Sequence, residues 1–240
     1  YPELATELAG KVDNAGTGML RCAVKLGNVS CLASVVNDIN KMAGSLELKR
    51  LECRAQVEQA FCAYLIERVR EPRGPNPALD FGECEAYYND PFTALQYGLM
   101  LWDSGRSLEL AEFSTQVELA SEDELAFVGL WLSTLLSITD YAETAARLSR
   151  LEKMLDVHWA ALYKGILVAL KATWLNLTGE NVESFFLWQE ALYILRSNRE
   201  TPYYLYCLNW FIQISGPTLV DEDRRLLRST LERAMTSFTS

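Results

Sequence analysis

Between residues 92 and 235 the chain repeats one unit: an apolar stretch of helical length, a tight turn, then a more polar stretch. The first copy is "FTALQYGLMLWDSGRSLELAEFSTQVELA", turning at Gly105, and the second is "ELAFVGLWLSTLLSITDYAETAARLSRLEKML", turning at Thr139 and Asp140. A third, "GILVALKATWLNLTGENVESFFLWQEALYIL", turns at Gly179, and a looser fourth turns at Gly216. The turns lie 34, 40 and 37 residues apart, the scale of a helix pair that cannot bury its apolar face alone and must stack on a neighbour. An all-α fold of tandem antiparallel helix pairs is the expectation. No segment carries the sustained alternation of β-branched and polar residues that a sheet requires.

Small residues recur at set places relative to the turns. Gly98 and Ala172 each precede a turn glycine by seven positions, Ser184 and Ala191 are small positions of the third copy's second helix, and "TDYAETA" places a tyrosine just after the second turn. In these features residues 91 to 235 resemble the tetratricopeptide repeat family, which implies an α-solenoid whose inner concave surface is built from the first helix of each pair. The chain departs from the family at Leu132 and Asn209 in the close-approach position, at Leu110 and Asp221 after the turn, and in lacking the closing proline.

Upstream, "SLELKRLECRAQVEQAFCAYLIERVREP" reads as a helix with Ser45 as N-cap and an apolar stripe through Leu48, Leu51, Ala55, Val57, Phe61, Leu65 and Val69, ending at Pro72. Before it, "NVSCLASVVNDINKMAG" reads as a shorter helix capped by Ser30 and closed by Gly44, after a looser glycine-containing segment in which "NAGTGM" is a turn. Residues 71 to 90, "EPRGPNPALDFGECEAYYND", carry too many prolines and glycines for a helix or a central strand. The organisation expected is an N-terminal helical region (1–71), a Pro/Gly-rich linker or loop (72–90) and a helical repeat region (91–240) ending in a capping helix that starts at Asp221.

The stretch "TPYYLYCLNWFIQISGPTLV", residues 201 to 220, has no charged side chain. A membrane span needs about twenty apolar residues, and Pro202, Asn209, Gln213, Gly216 and Pro217 leave too few. "LAFVGLWLSTLLSIT" from Leu125 is shorter still and flanked by acids. Neither is expected to span a membrane, and Tyr203 to Ser215 is expected to be a helix covered by neighbours on two sides.

Mapping the resemblance copy by copy places Phe92, Gln96, Leu99 and Trp102, then Ser133, then Thr173 and Asn176, then Tyr203, Tyr206, Trp210 and Gln213 on the concave face. These residue types imply a weakly charged groove for an apolar or amphipathic polypeptide segment, in which rings supply contact area and amides satisfy backbone groups. No basic residue occupies these positions, so the family's mode of gripping an acidic chain terminus is disfavoured. The expected function is protein binding, as a chaperone, scaffold or regulatory sensor domain, with Trp210 as an interface anchor. An all-α enzyme with an unrecognised site and a structural subunit of an obligate complex remain open alternatives, as does homo-oligomerisation.

The composition excludes other classes. A net charge of −10 repels phosphate backbones and anionic headgroups, which argues against direct nucleic-acid binding. Six cysteines without CxxC spacing read mostly as buried thiols, and with one histidine they suggest no metal site. His158 stands beside Trp159 with no nucleophile motif, no phosphate-loop glycine pattern occurs, and the acids at 122–124 and 221–223 suit helix N-termini. Neither a catalytic residue nor a cofactor is assigned. The opening "YPELATELAG" reads as a processed or cut end without a signal peptide, and the cytoplasm is the expected location.

Overall fold

The computed structural model describes residues 2–26, 29–46, 48–70, 85–155 and 160–239. Among them are eleven α-helices and no strand: α1 (Pro2–Leu26), α2 (Val29–Leu46), α3 (Lys49–Arg70), α4 (Pro91–Asp103), α5 (Ser107–Glu118), α6 (Asp123–Leu136), α7 (Tyr141–Met154), α8 (Ala161–Thr178), α9 (Asn181–Ser197), α10 (Thr201–Ser215) and α11 (Asp221–Thr239). A 3-10 turn at Glu85–Tyr88 precedes α4. The four helical pairs expected beyond residue 91 are α4–α5, α6–α7, α8–α9 and α10–α11, and each packs as a neighbouring pair.

Local chemistry sets the boundaries of these pairs. Asp90 caps α4 by accepting the Thr93 N–H at 2.9 Å, and Pro91 opens the helix where its missing N–H is harmless. Gly105 and Gly179 close α4 and α8 with left-handed φ of 71° and 92°, a conformation that a side chain resists. Asp140 caps α7 through the Glu143 N–H at 3.2 Å. A Cβ placed on Gly98 would lie 2.4 Å from Leu132 Cδ1, so α4 and α6 approach where the sequence has its glycine. Ser184 Oγ donates to the Ala172 carbonyl at 2.8 Å, joining α8 to α9 at two small residues.

The N-terminal region departs from the sequence reading. "NAGTGM" is not a turn, because α1 runs unbroken through it. Gly16 is a packing residue there: an added Cβ would sit 2.6 Å from Leu51 of α3. Ser30 and Ser45 are not N-caps, since α2 begins at Val29 and continues past Gly44 to Leu46. Asp221, expected as the N-cap of the last helix, is instead the first residue inside α11. Residues 71–84 of the expected linker and His158 lie outside the described residues, whereas Tyr87 is buried and stacks on Tyr97 at 4.1 Å.

Helix α3 connects the two regions. Its Val57, Phe61, Tyr64 and Leu65 share one buried cluster with side chains from α4 through α10. Arg54, also on α3 and 9% exposed, reaches Asp13 of α1 and the capping carboxylate of Asp90, each at 3.4 Å. A second cluster joins α1, α2 and α11 through residues such as Ile39, Leu231 and Phe238. The uncharged stretch of α10 is therefore covered from several sides, by α3, α8, α9 and α11. No described helix is long and apolar enough to cross a membrane.

Candidate functional site

The leading helices α4, α6, α8 and α10 do converge, but among the described residues no open groove lies between them. Gln96, Leu99, Thr173, Tyr203, Tyr206 and Trp210 are buried. Phe92, Trp102, Ser133 and Asn176 are half-buried, and only Gln213 is exposed. The reason is that α3 fills the space and α10 closes on α4. Phe61 of α3 packs on Tyr203 and Tyr206 with ring centroids 5.6 and 6.3 Å apart. Trp210 lies edge-on to Trp131 and Trp188, so it is core rather than an anchor waiting for a partner.

Asp103, at the end of α4, ties this interior together. Its carboxylate accepts from the Tyr64 hydroxyl of α3 and, at 3.2 Å, from the Tyr206 hydroxyl of α10. Arg68 donates to the Tyr64 oxygen and to the Asp103 carbonyl, both at 3.2 Å. Burial raises the Asp103 pKa, against the lowering effect of the two tyrosines and Arg68. Trp131 of α6 donates its indole N–H to the Ile166 carbonyl of α8 at 3.1 Å, and Glu124 accepts from Tyr163 at 2.9 Å, beyond its place in the first turn of α6. Both Asp103 carboxylate oxygens and the hydroxyls of Tyr64 and Tyr206 are engaged with one another, which suits a structural clasp.

The eleven residues named from sequence divide among separate places. Phe92, Gln96 and Tyr203 line a cavity of about 140 Å³ between α1, α3, α4 and α10. Asn176 borders a cleft of about 340 Å³ where the α8–α9 turn meets the start of α11. Gln213 lines a groove of about 540 Å³ with Val69, Arg228 and Glu232. The others serve the interior: Thr173 donates to the Ala169 carbonyl at 2.9 Å within its own helix, and Ser133 to the Leu130 carbonyl at 3.1 Å.

Two sets of residues were not singled out from sequence. In the cavity they are Arg21 and Lys25 of α1, Glu58 of α3, and Glu200 ahead of α10. Gln96 Nε2 donates to Glu58 Oε2 at 2.7 Å, and Lys25 pairs with the buried Glu200 at 2.9 Å. The Arg21 guanidinium lies 4.0 Å over the Phe92 ring. Burial pushes the Glu58 pKa up to about 7, with Asp90 and Glu200 adding to the rise while Gln96 and Arg21 oppose it. In the cleft, the missed residues are Val182, Phe185 and Phe186 of α9 and Leu219. Val182 is 74% and Phe186 63% exposed.

Among the described residues no group of three His, Cys, Asp or Glu side chains could hold a metal ion. Cys62 and Cys207 are buried thiols whose pKa values burial raises, Cys22 is an exposed thiol, and Cys53 is disulfide-bonded. No family model, curated protein or solved structure matches the chain.

Proposed function

We propose that the chain is a non-enzymatic polypeptide-binding module whose helix pairs stack in the tetratricopeptide manner, with its binding surface at the α9–α11 cleft. Support for the stacking comes from the order of contacts: α4 packs on α6 and α8 on α10, while α5, α7 and α9 each pack on the leading helix that follows. The observation that carries the binding reading is the pair of exposed apolar side chains, Val182 and Phe186, standing beside Phe185 and Leu219 in an open cleft. Two large apolar groups exposed one turn apart on α9, beside further apolar side chains of the same cleft, form a patch that a partner can cover.

The occupant is an amphipathic segment with aromatic or aliphatic anchors next to lysine or arginine. Asp221, Glu222 and Asp223 open α11, and Glu180 and Glu183 flank the start of α9. Arg224, the cation nearest to them, is tied to Asp221 at 3.6 Å and to the Leu219 carbonyl at 3.1 Å. The remaining acidic rim steers a basic flank and rejects an acidic one. Selection of peptides on the immobilised full chain is expected to return apolar anchors beside basic residues, and Phe186→Asp to weaken them by at least about tenfold. Acidic selected peptides, or affinity indifferent to Phe186→Asp, would overturn this reading. So would a sedimentation experiment in which the same face is buried by a second copy.

A further inference from the structure

The cavity between α1, α3, α4 and α10 is independent of the cleft and has features that packing does not account for. Its lining combines four charged residues with two aromatic rings, in a volume of about 140 Å³. Two polar atoms at its inner end, Glu58 Oε1 and the Tyr203 hydroxyl, are buried and have no hydrogen-bond partner among the described residues. Tyr203 is 2% exposed, and the nearby Gln96 amide, which donates to the other oxygen of Glu58, makes no hydrogen bond of normal geometry with its hydroxyl. Leaving such groups unsatisfied is costly, a penalty that a core gains nothing by carrying.

Charge is distributed along the cavity. The acids Glu58 and Glu200 are at its inner end, Glu200 with a side chain only 4% exposed. The cations Arg21 and Lys25 are at its mouth, each with a side chain 47% exposed. Lys25 is committed to Glu200, whereas Arg21 lies over Phe92 and 3.8 Å from Asp90, a long contact to a carboxylate already engaged by Arg54 and the α4 cap. An added cation or anion alone would leave this balanced set carrying a net charge. A small zwitterion would not.

We propose that this cavity binds a free α-amino acid, ammonium inward on Glu58 Oε1 and the Tyr203 hydroxyl, carboxylate outward toward Arg21, and a short side chain against Phe92 and Ala160. The ammonium has three donors, which matches two inner acceptors and the Glu200 carboxylate beside them. The volume compares with the roughly 150 Å³ cavity that accommodates benzene, so the side chain is limited to about four carbons. Glu58 ionises as the ammonium arrives, which fits the position of its pKa near neutrality.

The test is calorimetric titration of the full chain with glycine, alanine, valine and proline, each beside its amine and carboxylic-acid analogues lacking the other charge. At least one amino acid is expected to saturate below about 10 mM, and both of its singly charged analogues to bind at least about tenfold more weakly. Glu58→Gln is expected to weaken it by at least about tenfold, and Tyr203→Phe, which removes one oxygen and keeps the ring, by several-fold. Arg21→Met is expected to reduce affinity for the amino acid but not for its amine analogue. No saturable binding by any of the four would overturn the proposal, leaving a merely hydrated cavity. Equal binding by a correctly folded Glu58→Gln protein would overturn it as well.

Discussion

Glu58 works against the stability of the fold. Its folded pKa of about 7 lies above the ordinary 4.5, so between these values the native state binds more protons than the unfolded chain, and stability falls as pH rises through that window. The loss is complete above pH 7. The groups that face it are Gln96, Asp90, Glu200 and Arg21, together with Cys62 on its own helix and Tyr203 across the cavity. Glu58→Gln keeps the size of the side chain and an amide that can bond to Gln96, but removes the charge. The substitution is expected to stabilise the protein on the order of 1–2 kcal/mol at pH 8 and to change little at pH 4.5. Urea titrations at the two pH values check this, and an equal effect at both would show that the carboxylate is solvated. A residue that destabilises its fold while lining a cavity fits a binding role better than a packing one.

At the scale of the helix, glycines separate contact from mere tolerance. A Cβ on Gly129 of α6 would lie 2.2 Å from the Glu118 backbone nitrogen of α5, whereas one on Gly18 of α1 would meet nothing within 4 Å. Gly129→Ala must force two backbones apart and is expected to cost about 2–3 kcal/mol. Gly18→Ala gains helix propensity with nothing to displace, and is expected to add about 0.5–1 kcal/mol. Thermal denaturation of the two variants should therefore move in opposite directions. The same distinction governs what the sequence could reveal. Gly105, Gly179 and Asp140 announced their turns because left-handed φ and capping are properties of a few adjacent residues. Gly16 was misread because its reason is Leu51, far away in sequence. The unusual acid Glu58 was legible in principle, as the one carboxylate in the stripe Leu51, Ala55, Glu58, Cys62 and Leu65 of α3. The filling of the expected groove was not legible: periodicity shows that the faces of Leu99 and Tyr206 are covered, but not that α3 is what covers them.

For the whole molecule the consequence is that the helices before residue 71 and those after residue 90 share an interior. Phe61 of α3 is fully buried and stands against Tyr203 and Tyr206 of α10, while Tyr64, one turn on, closes the Asp103 clasp between α4 and α10. All six tryptophans lie at or beyond residue 102, so their fluorescence reports only the later helices, whereas far-ultraviolet circular dichroism reports all of them. Phe61→Ala removes a ring from the earlier region and is expected to cost about 3–5 kcal/mol. With one shared core, the fluorescence and dichroism melting curves coincide in the parent protein, and both shift down together by roughly 6–15 °C in the variant. A fluorescence transition that stays in place while the dichroism curve splits would mean that α4 to α11 fold without α3. The space between the leading helices would then be an open groove in that unit, and the buried Tyr206 and Trp210 would regain the role in partner binding that α3 denies them here.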